Sequence, residues 1–223
     1  KEVYTPTETG EIPILPMTAK DEMAFKTPDA MINGQSTVDV IKSCVPNLLD
    51  PWKMVNYDTD AVLLAIRIAT FGETMDVSYN IPGPDEKQTS TVNLPALLED
   101  INKIQIEDYA TTSKGFKVKI QPLDYKTLTK VQIAKFEQQK MYGTINSSTL
   151  TEEQKQTAFS KSFETLNTVN FSLLLDSIQE ITTPDGAVVT DKQQIMDFVS
   201  NSDTKTVREI EEKLTALRLQ AQM

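Results

Sequence analysis

The sequence predicts an α+β protein, with a mixed helical amino-terminal domain that holds a small antiparallel sheet and a mainly helical carboxy-terminal domain. Three features support this class: an apolar helical run at residues 58–71, alternating apolar residues from Met75 to Tyr79, and helical spacing of apolar residues after Asp124. Hydrophobic residues make up 39% of the 223 residues, which is enough to build a core. We therefore expect a folded chain of one or two domains.

The run at 58–71 is the predicted centre of the amino-terminal domain. Asp58 is expected to cap this helix, Asp60 suits the positive end of its dipole, and Gly72 is expected to end it in a left-handed conformation. Arg67 is the one charged residue between Ala61 and Phe71. A helix so apolar around its circumference is predicted to be buried, with Arg67 reaching the rim or pairing with a carboxylate.

Composition shifts divide the chain into three predicted parts. Residues 1–16 carry Pro6, Pro13 and Pro16 and are expected to form an extended arm with a short strand-like segment at 12–15. Such an arm is a partner-docking segment or a loose end. Residues 17–123 are predicted to form the α+β domain and residues 124–223 the helical domain.

Helix signals open the amino-terminal domain. Thr18 and Asp21 form a capping box that predicts a short helix through Phe25. Ser36 or Thr37 is then expected to cap a second helix, which Pro46 ends.

The strand signals of this domain follow Gly72. Residues 75–79 and 89–93 alternate and are separated by turn residues, which predicts a hairpin. Residues 94–104 are predicted to be a short helix or loop. Residues 116–120 alternate again and are expected to add a third strand beside this hairpin.

In the carboxy-terminal half, Asp124 is expected to cap a helix that ends near Gly143, with residues 144–150 as a loop. Thr151 and Gln154 form a second capping box, which opens the longest predicted helix. Its predicted apolar stripe consists of Phe159, Phe163, Leu166, Leu173 and Ile181. The Asp185-Gly186 pair predicts a turn in a hairpin near 179–190, and Asp191 is expected to cap the next helix.

Apolar residues at alternating intervals of three and four close the chain, at Val207, Ile210, Leu214, Leu217 and Ala221. This narrow stripe resembles a coiled-coil seam and packs either on its own domain or on a partner. Trp52 is likewise either a core residue or an interface anchor. The predicted partner-binding residues are Ile12, Ile14, Leu15, Trp52, Val207, Ile210, Leu214 and Leu217.

The composition argues against most catalytic and cofactor chemistry. The chain has no His and one Cys, Cys44, which excludes a Cys/His zinc site, an internal disulfide and a His-activated nucleophile. Cys44 is predicted to be a buried small hydrophobe. Asp58 and Asp60 could hold a cation, although helix capping is the favoured interpretation, and adjacent acids elsewhere are expected to be solvated. We predict no catalytic site, metal or cofactor.

Charge and hydropathy restrict the partners. The net charge is −10 and the isoelectric point is near 4.6, which disfavours nucleic acid and anionic membrane surfaces. The sequence shows neither a membrane-spanning run nor a secretory signal. It begins with Lys, so truncation at either end is left open.

Several segments, in this order, resemble baseplate hub subunits and hub-assembly proteins of contractile-tailed, T-even-like phages. The similarity runs through residues 14–22, 28–34 and 40–46, is strongest at 57–72, and continues more loosely over 160–220. Members of that family often carry paired cysteines suggestive of a zinc ribbon. This chain has Asn-Ile-Pro-Gly-Pro at the first such position, residues 80–84, and no second cysteine pair, so no metal site is carried over.

The resemblance implies a non-enzymatic tail protein that contacts hub, tube or tape-measure proteins and takes no small-molecule substrate. It would be found in the virion tail baseplate and, during assembly, in the host cytoplasm. An alternative is a dedicated chaperone of tape-measure or hub proteins that is absent from the mature virion. A third hypothesis is a carboxylate hydrolase, which would require two acids that converge in a concave site.

Overall fold

The chain forms two compact units, described here from a computed structural model that covers residues 3–5, 7–26, 33–80, 87–103, 108–147 and 150–220. Within these ranges, the side chains of residues 80, 87, 146, 147 and 217–220 are not described. The amino-terminal unit is Lys1–Gln105 and the carboxy-terminal unit extends from Ile106 to Gln222. Both combine helices with antiparallel strands, which confirms the predicted α+β class.

The division between the units differs from the predicted boundary at residue 123. The strand predicted at 116–120 exists, but it belongs to the carboxy-terminal unit, where it pairs with a strand about sixty residues further along the chain. Its placement beside the first hairpin was wrong, because alternation identifies a strand and does not identify its neighbour.

The amino-terminal unit is built from four described helices, a 3₁₀ turn at Pro51–Lys53 and a two-stranded ribbon. In chain order the elements are α1 (Ala19–Phe25), α2 (Gln35–Cys44), α3 (Asn56–Phe71), β1 (Thr74–Asn80), β2 (Lys87–Asn93) and α4 (Leu94–Lys103).

The predicted capping box at the start of α1 is confirmed. The Thr18 side chain accepts from the Asp21 N–H at 3.3 Å, and the Asp21 carboxylate accepts from the Thr18 N–H at 2.8 Å. Ser43 of α2 also donates its hydroxyl to Asp21, at 3.1 Å. The carboxylate therefore caps one helix and ties it to the next.

Replacing Asp21 by Ala is expected to lower the free energy of unfolding by about 1–2 kcal/mol at neutral pH. Hydrogen bonds from Thr18 hold the pKa of Asp21 below its usual range, so its contribution is present above the unfolded-state pKa. The contribution is lost as pH falls through the lower folded-state pKa. Urea denaturation from pH 7 to pH 2 should show the two proteins converging, and a gap that is constant with pH would contradict this role.

The core of the amino-terminal unit lies between α2 and α3. Val40, Ile41 and Cys44 from α2 meet Ile66 from α3, together with Val45, Leu48 and Met54 from the connection between these helices. Cys44 is fully buried, as predicted, and burial raises the pKa of its thiol. The predicted cap of α2 was wrong, since this helix begins at Gln35 after Gly34, while Ser36 and Thr37 lie inside it and are buried.

The central helix α3 is longer and less buried than predicted. It begins at Asn56 after Val55, so Asp58 lies in the first turn and is not the cap. Gly72 ends the helix as predicted and has a positive φ of 93°, but its ψ of −178° differs from the left-handed helical conformation that was expected. Only Thr59 and Ile66 are buried among the residues of this helix. The prediction that this helix is buried was therefore wrong.

The predicted hairpin is confirmed as a regular antiparallel ribbon of β1 and β2. Thr74 pairs with Asn93, and the register continues to Asn80 opposite Lys87. The predicted turn at 81–86 lies outside the described residues. The segment after the ribbon is the helix α4, which resolves the open choice between helix and loop.

The carboxy-terminal unit contains four helices and four strands among its described residues. They are β3 (Tyr109–Thr111), β4 (Lys117–Ile120), α5 (Tyr125–Ser147), α6 (Glu152–Ser177), β5 (Ile178–Thr182), β6 (Val188–Val189), α7 (Lys192–Asn201) and α8 (Thr204–Gln220). The strands form one antiparallel sheet in the order β3-β4-β5-β6. The hairpin predicted near 179–190 is the β5–β6 pair.

The core of this unit lies between one face of the sheet and helices α6, α7 and α8. Val118 and Ile181 supply the sheet side, and Ile195 and Ile210 supply α7 and α8. Phe116 packs against Phe198 with ring centroids 4.8 Å apart. The predicted cap of α7 is confirmed by the Asp191 carboxylate, which accepts from the Gln194 N–H.

Helices α5 and α6 pair along their length as a helical hairpin. Gln138 and Ser162 are both buried and hydrogen-bond to each other, and Tyr142 stacks on Phe159 at 5.4 Å. The capping box at Thr151 is confirmed. The predicted end of α5 near Gly143 was wrong, because the helix continues to Ser147.

None of the helices in the part of the chain described above combines the length and apolar character needed to cross a bilayer.

Candidate interaction surfaces

The predicted docking arm is packed on the amino-terminal unit itself. Ile12 and Ile14 are half-buried against the core. Backbone hydrogen bonds fasten the arm at 2.8–2.9 Å, from Thr5 N–H to the Asn47 carbonyl, from Leu15 N–H to Cys44 and from Leu49 N–H to Val3. Ile12 and Ile14 therefore contribute to the fold of this unit, and their assignment to a partner stays a prediction. Leu15 points outward with 47% of its surface exposed.

The terminal seam is also used within its own unit. Ile210 and Leu214 are 0% and 7% exposed in the core of the carboxy-terminal unit, and Val207 packs against the same core. The Glu209 carboxylate accepts from the Ser113 N–H at 2.8 Å, which ties α8 to the β3–β4 turn. Of the two alternatives left open, Ile210 and Leu214 fit packing on their own domain, and a partner contact of the seam stays a prediction. The side chain of Leu217 and all of Ala221 lie outside the description.

Trp52 is half-buried in the 3₁₀ turn before α3. This placement fits both a core residue and an interface anchor, so its assignment to a partner stays a prediction.

Helix α3 carries an apolar stripe that the core does not cover. Leu64 and Ile68 are half-buried and lie outside the core cluster, although α4 packs beside this helix. Phe71, at the end of the stripe, is 51% exposed. The spacing of four and three residues places these side chains along one face. We name Leu64, Ile68 and Phe71 the α3 stripe.

Arg67 borders the α3 stripe and is not neutralised there. Its guanidinium lies 4.6 Å from the centroid of the Phe71 ring, a cation–π contact. Its Nη1 atom is buried and has no hydrogen-bond partner among the described residues. Of the two expectations for Arg67, pairing with a carboxylate is not met in the described part of the chain, and the guanidinium contacts the ring of Phe71 instead.

The ribbon that follows also carries exposed apolar side chains. Met75, Val77 and Tyr79 alternate on one face of β1, with Val92 opposite Met75 on β2. Val77 and Tyr79 are both exposed, while the other face carries a polar contact from Thr91 to Asp76 at 2.7 Å. A two-stranded ribbon is at best marginally stable alone, so an uncovered apolar face is typical of a surface that gains a neighbour.

Exposed aromatic residues also mark the helical hairpin. Phe136 on α5 and Phe163 on α6 are 47% and 62% exposed. The Gln138–Ser162 hydrogen bond places them at nearly the same level along the hairpin. Phe163 was predicted to belong to the inward stripe of α6, and this was wrong, because the adjacent Ser162 takes the buried position.

The acidic residues do not form a recognisable reactive centre in the described residues. Partial desolvation raises the pKa of Asp58, which is half-buried, and of Asp60, which remains exposed, but no group of potential metal ligands occurs around them in the ranges described. A cleft of about 540 Å³ beside β3 and α8 is lined by Glu209, Glu212 and Lys213. The hydrogen bond from the Ser113 N–H lowers the pKa of Glu209. This carboxylate is therefore ionised and already accepts a hydrogen bond from the protein. A carboxylate hydrolase would need a second acid that converges with Glu209 in this cleft and acts as a proton donor, and that hypothesis stays untested.

Uncovered apolar surface on both units is typical of proteins that make contacts with other proteins. Comparison with known families agrees with this class: residues 2–223 match the family described as T4 bacteriophage base plate protein. The chain therefore belongs to that family, and its place is the phage tail. No curated protein and no solved structure matches the chain significantly.

Proposed function

We propose that the chain is a component of the baseplate hub that binds other tail proteins and acts through these contacts rather than by catalysis. The observation that carries the proposal is the α3 stripe. Helix α3 contributes Ile66 to the core of the amino-terminal unit. On the same helix, Leu64 and Ile68 are only half-buried and Phe71 is exposed. Burial of such side chains by a partner contributes about 1.5–3 kcal/mol each when complete.

The hub assignment rests on the resemblance over residues 57–72, which is the segment that contains the α3 stripe. In this proposal the chain meets hub, tube or tape-measure proteins in the host cytoplasm during assembly. It then either stays in the baseplate or leaves as a chaperone. Mass spectrometry of purified virions decides between these fates, because only a structural subunit is retained at a fixed stoichiometry.

Replacing Phe71 by Asp is expected to reduce the recovery of tail proteins with the tagged chain by at least ~10-fold, since a charge would enter the centre of an apolar contact. The measurement is affinity purification from phage-infected cells, with the tail proteins quantified by mass spectrometry. Because Phe71 is half-exposed, the isolated variant should keep its circular dichroism spectrum.

Leu49→Asp is the matched control, since Leu49 is a similarly exposed apolar residue of the same unit at 57%. It should recover tail proteins as well as the unmodified chain does. If the two variants behaved alike, the α3 stripe would not be the contact surface. If the unmodified chain recovered no tail protein, the proposed function itself would be wrong.

A further inference from the structure

The outer face of α5 carries positive charge in an otherwise acidic protein. This helix contains four lysines and one glutamate, a net charge of +3, whereas the whole chain has a net charge of −10. Its lysines are Lys126, Lys130, Lys135 and Lys140, and all four are exposed. None of them forms an ion pair with another residue in the described ranges, in contrast to Lys114 and Lys155 of the same unit.

The inward face of α5 is already occupied. Val131, Gln138 and Ile145 are buried at intervals of seven residues, and Gln138 bonds to Ser162 of α6. Helical periodicity places Lys130, Ile133, Phe136 and Lys140 away from this seam. Thr129 is buried one turn before Ile133, so the open part of the outer face begins at Lys130.

On this outer face an apolar centre is bracketed by charge. Ile133 is half-buried and Phe136 is 47% exposed, while Lys130 and Lys140 stand on either side. Glu137 also lies at this level and reduces the positive charge without cancelling it. The segment from Lys130 to Lys140 is about 15 Å long at the helical rise of 1.5 Å per residue. We name Lys130, Ile133, Phe136 and Lys140 the basic face.

We infer that the basic face binds an acidic amphipathic helix of another tail protein. Its partner would place apolar side chains on Ile133 and Phe136 and glutamate or aspartate opposite Lys130 and Lys140. This inference rests on the proposed function, because it assumes that the natural partner is a protein of the tail.

Charge complementarity selects this occupant. Two copies of the chain would each carry a net charge of −10 and would repel each other in solution, which disfavours a second copy as the partner. Nucleic acid could pair its phosphates with the lysines, but it would not bury Ile133 and Phe136. The acidic remainder of the chain would also repel its phosphates. An acidic helix with an apolar stripe satisfies both the lysines and the apolar centre.

The contact area is small, so the association is expected to be weak and sensitive to salt. A single helix face of three turns falls below the size of a standard stable interface. Exposed charge pairs are screened at ionic strengths of 0.15 M and above, where the Debye length is about 8 Å or shorter. We therefore expect binding in the micromolar range at low salt that weakens as salt is added.

A fluorescently labelled synthetic helix of about four turns, with a leucine stripe flanked by glutamates, is the probe. Fluorescence anisotropy with the full chain at low salt should show saturable binding. Lys130→Glu combined with Lys140→Glu should weaken that binding by at least ~10-fold, and Phe136→Ala by ~3-fold or more. The matched control is Lys20→Glu combined with Lys42→Glu, which makes the same change in net charge on exposed lysines of the amino-terminal unit and should alter binding by less than ~2-fold.

Three results would overturn the inference: no binding of the acidic peptide by the unmodified chain, equal losses in the two double variants, or tighter binding of a DNA duplex with the same dependence on Lys130 and Lys140. Any of these would leave the proposed function intact if Phe71→Asp still prevented recovery of tail proteins. The two proposals therefore fail separately.

Discussion

Substituting Asp for Ile210 is expected to unfold the carboxy-terminal unit. Ile210 is fully buried between α8 and the sheet, in the cluster that contains Val118, Ile181 and Ile195. An ionised carboxylate there loses its hydration and finds no partner, at a cost of more than about 4 kcal/mol. A single domain has only about 5–15 kcal/mol of stability. Urea denaturation followed by circular dichroism, with hydrogen exchange to localise the loss, is the measurement.

Arg208→Ala is the control for this substitution, because Arg208 is exposed on the same turn of α8. It should change the free energy of unfolding by less than about 0.5 kcal/mol. The structure places Ile210 and Leu214 of the terminal seam in the core of their own unit. If Ile210→Asp kept full stability and lost only a binding partner, the seam would be an interface and this part of the fold description would be wrong.

Removing residues 1–16 is expected to destabilise the amino-terminal unit by roughly 3–6 kcal/mol, because four half-buried apolar side chains of the arm would leave its core. They are Val3, Tyr4, Ile12 and Ile14. The backbone hydrogen bonds from the arm to Cys44, Asn47 and Leu49 would be lost as well. Thermal unfolding of the truncated chain measures the effect.

Ile12→Asp combined with Ile14→Asp should reproduce most of this loss, while Glu8→Ser and Glu11→Ser in the exposed part of the arm should not. A truncated chain of unchanged stability that no longer joined tail proteins would instead support a docking arm.

Local signals in the sequence were sufficient for much of the architecture. The capping boxes at Thr18 and Thr151 and the cap at Asp191 place three helix starts correctly, since each depends on side chains within one turn. The ribbon and the β5–β6 hairpin followed from alternation interrupted by turn residues. These features are set by contacts between near neighbours.

The sequence did not predict which elements pack together when they are far apart along the chain. β4 pairs with β5, although α5 and α6 intervene between them, and no residue in either strand specifies that choice. The same limitation explains Ile210 and Leu214, whose spacing fits a partner and an own core equally well. These two residues are buried because β4 and α7 pack against them, and the spacing of apolar residues in α8 does not indicate the positions of those elements.

The candidate interaction surfaces could be predicted only in part from the sequence. The apolar run at 58–71 marked the right helix, but its burial was overestimated because the core needed only one side of it. Phe136 falls within the helical spacing of apolar residues after Asp124, and that spacing does not show that its side chain is exposed. The signal that could have found the basic face is the excess of lysine over acid between residues 126 and 140, which the overall charge of −10 conceals.

We propose that this member of the T4 base plate family works by contact with other tail proteins. Quantitative mass spectrometry of the tagged chain, purified at successive times from phage-infected cells, tests this proposal. We expect tail proteins to accompany the chain at a fixed ratio during assembly, and Phe71→Asp to remove them while Leu49→Asp does not. A chain recovered alone at every time would contradict it.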